Sequence, residues 1–366
     1  MHAVIFGDRG VGKTSIGLVT AAIAQDPSNK SGTRALVASC SSRDDFGSIW
    51  QTVFEQVIRV QQTIGFASEP ALVSRGHLRL DPEHVQTPNS VRLIVDSLPN
   101  PAMIIIDEFD RIQDEGVRTL MAETIKLFAD RNTEATIVLV GVADDVSGLM
   151  EAHRSISRNL AEIQVDPLSE DQLAEIITDG LKRSTMTWDE YVPNEIAKLC
   201  HGYPSYAHWI GRNAARAALY DRRDNVERED VKSAIVDMIG NSLQSLRSEY
   251  ERAVASPQPG NLFREVLLAC ALAPRDQLGR FAAADVRGPL RMITGREDYD
   301  ITHFQSHLTK FIDSARGPVL NRLGQRRSYR YRFVDPRMIP YVTLNGATEG
   351  LIDLSDASVG QPGNKR

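Results

Sequence analysis

Apolar positions fall into two regimes along the chain. Over the first 165 residues, short near-continuous runs rich in Val, Ile and Ala (Ala3–Phe6, Arg34–Ala38, Met103–Ile106, Thr136–Val140) alternate with longer segments of helical spacing. Phe46, Ile49, Val53, Val57 and Val60 make one such helical set, and Leu120, Ile125 and Phe128 another. The continuous runs predict strands buried on both faces, and Leu160–Val165 is a fifth, more polar candidate. Strands separated by helices require crossover connections, hence a parallel sheet with helices packed against it. Residues 62–90 hold Gly, Pro and polar residues without a sustained period and read as a long loop or insertion.

After Asp166-Pro167 the pattern is helical alone. Ser169 followed by Glu170 and Asp171 predicts a capped helix start with an acidic first turn. Further helices are expected over Pro193–His201, Tyr206–Tyr220 and Arg228–Ala255, and Ser256-Pro-Gln-Pro-Gly260 reads as a linker. Beyond it come an apolar helix over Leu262–Leu272, a short one over Ala282–Arg287 and a third over Ile301–Phe311. An alternating Tyr329–Phe333 strand follows. The final stretch, 344–366, is rich in Gly, Ser and Asp and is expected to be disordered.

With 366 residues, 42% apolar and 25% charged, the chain has the composition of a soluble multidomain protein. It contains no apolar run long enough to span a membrane and no basic segment followed by an apolar signal core, so neither membrane insertion nor secretion is expected. Cys40, Cys200 and Cys270 form no CxxC pair, which argues against a disulfide framework or zinc site and for a reducing cytoplasm. The net charge of −6 conceals an asymmetry: Leu262–Thr343 carries 14 basic against 8 acidic residues, on an otherwise acidic chain. That basic stretch reads equally as a nucleic-acid-facing surface or as a solvated face without such a partner.

Gly7-Asp8-Arg9-Gly10-Val11-Gly12-Lys13-Thr14 fits the phosphate-loop pattern without a mismatch, between a buried strand and a helix expected over Thr14–Ala24. Glycines let successive N–H groups approach a phosphate, and the helix amino terminus adds positive potential. In this reading residues Gly7 to Ser15 cradle the nucleotide, Lys13 neutralises β/γ oxygens and the Thr14 hydroxyl ligates Mg²⁺. The matching acidic strand end is Met103-Ile-Ile-Ile-Asp107-Glu108. Asp107 is placed to hold Mg²⁺ through water, and Glu108 to polarise the water attacking the γ-phosphate. No guanine-reading residues are evident, so ATP hydrolysis is the economical reaction.

These motifs, with TIVLVGVADD, HRSISRNLAEIQVDPLS and GYPSYAHWIG, resemble the AAA+ ATPases, within them the replication-initiator-like (origin-recognition) and STAND-like branches, over roughly residues 1–343. The resemblance implies an α/β P-loop NTPase fold with a parallel sheet of order 5-1-4-3-2 and helices on both faces. An all-α lid and a winged-helix domain would follow. The domains expected on this basis are a nucleotide-binding core over 1–167, a helical lid over 168–256 and a winged helix over 257–343.

The resemblance also places a first sensor at Asp144, beside Asp145, where an ionised acid would repel phosphate unless it acts through metal or water. It puts an arginine finger at Arg158, with Arg154 as the other candidate. Pro204, in Gly202-Tyr203-Pro204-Ser205, falls at the lid turn near the nucleotide. Ser205 replaces the usual second sensor arginine, which favours slow turnover, and Arg212 is a candidate substitute. Such ATPases carry a segment upstream of the first strand that helps cover the adenine. Here either the true start lies further upstream or base contacts come from the lid.

In the carboxy-terminal module, Phe304, Leu308 and Phe311 are expected to face inward from the third helix. His303, Gln305, Ser306, His307, Thr309 and Lys310 would then face outward as a groove-reading surface. Arg322, Arg326, Arg327, Arg330 and Arg332 would form a cationic wing. The expected protein is an ATP- and Mg²⁺-dependent AAA+ switch with slow hydrolysis that engages double-stranded DNA or a protein partner, itself a candidate homo-oligomer. The alternative is a DNA-binding regulator or scaffold that holds ATP or ADP structurally.

Overall fold

A computed structural model of the chain describes residues 1–26, 28, 32–63, 85–142, 157–241, 244–258, 260–276, 278–325 and 328–353. They form two compact units, Met1–Asp8 with Gly12–Val165, and Arg9–Val11 with Asp166–Arg366.

The first unit is built on strands β1 (His2–Gly7), β2 (Arg34–Ser39), β3 (Ala102–Asp107), β4 (Ala135–Val142) and β5 (Leu160–Val165). All neighbours pair in parallel, in the order β2-β3-β4-β1-β5. This is the sheet order expected above. The period of two along each strand sorts side chains onto two covered faces. Val4, Leu36, Ile104, Ile106, Ile137 and Leu139 enter a large core with residues of α2 (Phe46–Thr63), α3 (Pro88–Asp96) and α4 (Glu115–Asp130). Ile5, Ala35, Ile105, Val138 and Val140 enter a smaller core with Ala21 of α1 (Lys13–Ala24). Burial on both faces is why these runs read as continuous rather than alternating.

Helix α1 packs its Gly17 face on the sheet: an added Cβ there would make ordinary contacts, 3.5 Å from Ile105 Cγ2 and 3.7 Å from Val140 Cγ2. The expected loop over 62–90 is encroached on at both ends, by α2 running to Thr63 and by α3 opening at Pro88 behind a Thr87–Ser90 capping box. The remainder of that loop lies outside the described residues.

The second unit is mainly helical: α5 (Glu170–Arg183), α6 (Val192–Leu199), α7 (Pro204–Tyr220), α8 (Arg228–Asn241), α9 (Gln244–Val254), α10 (Phe263–Leu272), α11 (Ala283–Thr294), α12 (Ile301–Lys310) and α13 (Met338–Thr348). Ser169 and Gln172 form the capping box that starts α5. Four expectations are corrected here. The region after Asp166 is not helical alone, because Thr187–Trp188 (β6) and Asn225–Val226 (β7) pair as a short parallel ladder. The expected helix over Arg228–Ala255 is two helices, α8 and α9. Helix α11 runs to Thr294, past Arg287, with Pro289 inside it. The chain is still helical beyond residue 344, since α13 continues to Thr348 with Leu344, Asn345 and Gly346 buried. Residues 354–366 lie outside the described residues.

The hairpin β8 (Leu320–Leu323) and β9 (Arg330–Phe333) is antiparallel, and Tyr331 also pairs with Phe281. This gives the helix–helix–helix–hairpin order expected for the carboxy-terminal module. The anticipated division at 256–257 falls inside one compact unit.

Candidate functional site

Parallel strands place their carboxyl ends along one edge of the sheet, where loops from neighbouring crossovers converge. Phe6 faces Gly141 of β4, and Ile106 faces Leu139 of the same strand, so β1 and β3 flank β4 and end at nearly the same level. The glycine loop leaves β1 and the Asp107-Glu108 pair leaves β3. The fold thus brings the two sequence motifs to one edge.

The loop is conformationally suited to wrap an anion. Gly10 and Gly12 hold φ of 89° and 102°, values that glycine alone adopts without strain, and Gly12 caps α1 with its left-handed backbone. No side chain caps the amino terminus of α1, leaving its first N–H groups available to a ligand. Lys13 Nζ donates to the carbonyl oxygens of Gly7 at 3.0 Å and Asp8 at 2.7 Å. Thr14 and Ser15 are exposed in the first turn of α1, as a metal-ligating hydroxyl requires.

Asp107 is buried at the end of β3, and its carboxylate accepts the Glu108 N–H at 2.8 Å. Its carbonyl oxygen accepts the Cys40 N–H at 2.8 Å, tying the strand end to the residue after β2. Glu108 is one of five non-glycine residues with positive φ among the described residues, at φ 55° and ψ 32°. A left-handed Glu is strained by roughly 1–2 kcal/mol, and such strain gathers at functional sites. Its carboxylate pairs with Arg111 at 2.9 Å on an exposed surface.

Two acids not singled out from the sequence join this edge. Burial and the carboxylates of Asp44, Asp107, Glu108 and Asp110 push the Cys40 thiol up to about 12. The four acids thus make a concentrated negative field at the ends of β2 and β3. Asp110 and Arg111 continue the acidic motif itself, which is the signal that points to them.

No group of three or more His, Cys, Asp or Glu side chains is arranged to hold a metal among the described residues. The donor set suits Mg²⁺ rather than a protein-caged metal: one hydroxyl (Thr14) and one buried carboxylate (Asp107), beside glycine-loop N–H groups for phosphate.

Arg158 is exposed in a single 3₁₀ turn, Ser157–Asn159, directly before β5. Asp144, Asp145 and Arg154 lie outside the described residues.

In the second unit, Gly202-Tyr203-Pro204 forms a tight turn into α7. Gly202 has φ 90°, and an added Cβ would collide with Pro167 Cβ. Its carbonyl accepts the Leu168 N–H at 3.0 Å. Pro204 occupies the first turn of α7, Ser205 beside it is exposed, and Arg212 is exposed further along the helix. The turn is anchored from behind by His201, which is buried with left-handed backbone at φ 48°. Thr343 of α13 donates its hydroxyl to the Ile339 carbonyl at 3.0 Å, so its oxygen accepts from His201 Nε2 at 2.9 Å. Arg275 approaches the other ring nitrogen at 3.5 Å. Burial, with Arg275 adding, lowers the His201 pKa to about 3, so the ring is neutral.

On α12, Phe304 and Leu308 are buried, as is Phe311 just after it. His303, Ser306, Thr309 and Lys310 are exposed, but His307 is not outward as expected. Its ring packs edge-on against Phe263 at 4.8 Å, and its Nδ1 is buried without a hydrogen-bond partner among the described residues. Position 307 borders the apolar face, three residues beyond Phe304, so α10 claims it. Gln305 also turns aside, donating to the Tyr331 hydroxyl at 3.3 Å.

The hairpin arginines are partly engaged within the module. Arg322 stacks over Tyr329 at 4.4 Å and Arg330 pairs with Asp285 at 3.7 Å, while Arg326 and Arg327 lie outside the described residues. Arg287–Asp300 and Arg296–Asp298 are further exposed pairs. Such pairs are worth little in solvent and yield readily to a phosphate.

No protein-family model matches the sequence, and no curated protein matches it. Solved structures do. The Orc1 protein of Aeropyrum pernix, solved in complex with DNA, superposes with a TM-score of 0.50 at 16% identity, covering 96% of this chain and 88% of that one. Cdc6p from Pyrobaculum aerophilum gives 0.48 at 14%, with the same coverage of 96% and 88%. A RuvB variant of Thermotoga maritima gives 0.45 at 16%, covering 90% and 83%. The chain shares its fold with the Aeropyrum pernix Orc1 protein.

Proposed function

We propose that this protein binds and slowly hydrolyses MgATP, and that the nucleotide controls engagement of double-stranded DNA by the carboxy-terminal module. The observation that carries the reading is the convergence of the glycine loop and the Asp107-Glu108 strand end on one edge of a parallel sheet. In this reading residues 1–167 are the nucleotide-binding core, 168–256 the lid and 257–343 a winged-helix domain.

Lys13 exchanges the carbonyls of Gly7 and Asp8 for β/γ-phosphate oxygens, and the amino terminus of α1 meets the β-phosphate. Thr14 and Asp107 would hold Mg²⁺, which when bound would supply positive charge against the transferring phosphoryl group. Glu108, released from Arg111, orients and deprotonates the attacking water. Arg158, exposed directly before β5, is assigned to a neighbouring subunit's nucleotide in this reading, so oligomerisation is part of the proposal. Pro204 is taken, on the resemblance alone, as a nucleotide-contacting residue of the lid. Double-stranded DNA meets Lys310, His303, Ser306 and Thr309 on α12 and the hairpin arginines. We place the protein in the cytoplasm; no helix among the described residues is long and apolar enough to cross a membrane, and the three cysteines are free and buried.

Lys13→Ala and Glu108→Gln test the reading. Lys13→Ala should abolish MgATP binding, while Glu108→Gln should keep binding and lower phosphate release by on the order of 10²-fold or more. Wild-type hydrolysis retained by both variants would remove the enzyme reading.

Ser205 favours a second reading, because an exposed serine stands where the resemblance expects a sensor arginine. The protein would then bind ATP or ADP as a structural cofactor in a DNA-binding regulator or scaffold. Phosphate release at background with and without duplex DNA, alongside intact nucleotide binding, would select it.

A further inference from the structure

The outer turn of the glycine loop, Arg9–Val11, belongs to the second compact unit. Within that unit Gly10 lies against Arg337 and Tyr203. A Cβ built on Gly10 would stand 3.4 Å from Arg337 Cγ, 3.6 Å from Arg337 Cδ and 3.5 Å from Tyr203 Cδ1. Arg337 is the residue that opens α13, and three sets of hydrogen bonds fix it there. Its N–H donates to Asp335 Oδ1 at 3.0 Å, and its carbonyl accepts the Tyr206 hydroxyl at 2.8 Å. Its guanidinium donates from Nε to the two Asp335 carboxylate oxygens, at 3.0 and 3.1 Å, and from Nη2 to Oδ2 at 2.5 Å.

That grip occupies one edge of the guanidinium. Arginine has five N–H donors, and the two on Nη1 have no partner among the described residues. The side chain keeps 25% of its surface exposed, and Nη1 is not one of the buried unpartnered atoms, so a ligand can reach it. Helix α13 gives no reason for a cation here, because its dipole disfavours positive charge at the amino terminus. The glycine loop does. The N–H groups of Gly10 and Val11 have no hydrogen-bond partner among the described residues, and a turn of this kind offers them to a phosphate oxygen. Phosphate is also the acceptor that a held guanidinium binds most strongly.

We propose that Arg337 is a phosphate-binding residue, donating from Nη1 to a nucleotide phosphate carried on the Gly10–Val11 turn while Asp335 holds the opposite edge of the guanidinium. The proposal rests on the nucleotide reading above, and it adds a residue that neither the glycine loop nor the acidic strand end marks. It supplies a cation that Ser205 does not, and it brings the phosphate into direct contact with the carboxy-terminal module.

The test is fluorescence titration of the full chain with the N-methylanthraniloyl derivatives of ATP and ADP in Mg²⁺. Arg337→Gln is expected to weaken binding about tenfold. That variant leaves the Asp335 carboxylate unpaired, so the double variant Arg337→Gln/Asp335→Asn, which removes both charges, is titrated beside it. The double variant should also lose affinity, and thermal melts without nucleotide establish that it is folded. Equal loss for the two nucleotides assigns the contact to a phosphate common to both, and a larger loss for the triphosphate assigns it to the γ-phosphate; either supports the proposal. Raising the salt from low to physiological should weaken the wild type more than the double variant, which a change in loop packing alone would not produce. Unchanged affinity in the folded double variant overturns the proposal, because any loss in Arg337→Gln then comes from the freed Asp335 carboxylate. So does a salt dependence identical in wild type and double variant. Lys13→Ala keeps the two readings apart. Wild-type protein that binds neither nucleotide removes the nucleotide reading and this proposal with it. Binding that Lys13→Ala abolishes and the double variant retains in full removes the proposal alone.

Discussion

His201 and Thr343 meet in the interior of the second unit through a hydrogen bond of 2.9 Å, joining the Gly202-Tyr203-Pro204 turn to helix α13. The Tyr206 hydroxyl adds a second tie, donating at 2.8 Å to the carbonyl of Arg337 just before α13. The turn expected to approach the nucleotide and the end of the carboxy-terminal module therefore share one packed core. A displacement of the turn carries α13 with it, because buried hydrogen bonds in packed cores do not deform gradually.

That contact predicts a pH dependence. Folded His201 takes up a proton only near 3, against an ordinary histidine value of 6.5. The unfolded chain therefore binds the proton first. The stability contributed by neutral His201 is fully present above about 6.5 and falls as pH drops toward 3, at about 1.4 kcal/mol per pH unit. His2, buried in β1 and accepting the Ile137 N–H at 3.0 Å, is lowered to about 4 and acts in the same direction in the first unit. Urea melts between about pH 6.5 and 4.5 should show the slope. His201→Asn, which tolerates the left-handed backbone, should flatten it for the second unit; an unaltered slope would rule out His201 as its source.

Glu108 should separate stability from chemistry. Its left-handed backbone is strained for any residue with a Cβ, so Glu108→Gly is expected to raise thermal stability by about 1 kcal/mol. The same variant should lose hydrolysis. Differential scanning calorimetry beside phosphate release measures both, and a destabilised Glu108→Gly protein would contradict the strain.

Arg111→Ala should free Glu108. An exposed ion pair is worth about 1 kcal/mol or less, which bounds any rise in hydrolysis at roughly fivefold. A fall in turnover would mean that Arg111 itself assists the reaction.

Gly202→Ala is expected to destabilise the second unit by roughly 2–4 kcal/mol, combining a left-handed backbone with the clash at Pro167. Chemical denaturation checks it. A loss under 1 kcal/mol would show that the turn relaxes.

DNA affinity should fall linearly with the logarithm of salt concentration, and Arg322→Ala or Lys310→Ala should each reduce the slope by about one. His307→Ala should leave the slope unchanged while lowering stability, since that ring packs on Phe263. Fluorescence anisotropy over a salt series distinguishes the two classes of residue.

Much of the first unit was legible because its determinants are local. Val4 and Ile5, or Ile104 and Ile105, alternate between two covered faces, and that burial writes an apolar run directly into the chain. Gly12-Lys13-Thr14 likewise carries its own reason: a left-handed cap, a cation and a hydroxyl in consecutive positions. The acidic edge was legible in Asp107 and Glu108, while Asp44 joins it only through the pairing of β2 with β3.

The sequence by itself determined the five strands of the first unit, the glycine loop, the acidic strand end and the apolar face of α12, since each depends on neighbours within a few positions. Tertiary structure alone decided that His307 turns inward onto Phe263 and that the chain stays helical past residue 344. Each of these outcomes depends on which distant surface arrives opposite, as Thr343 arrives at His201 from 142 residues away. Periodicity within one segment carries no record of that partner.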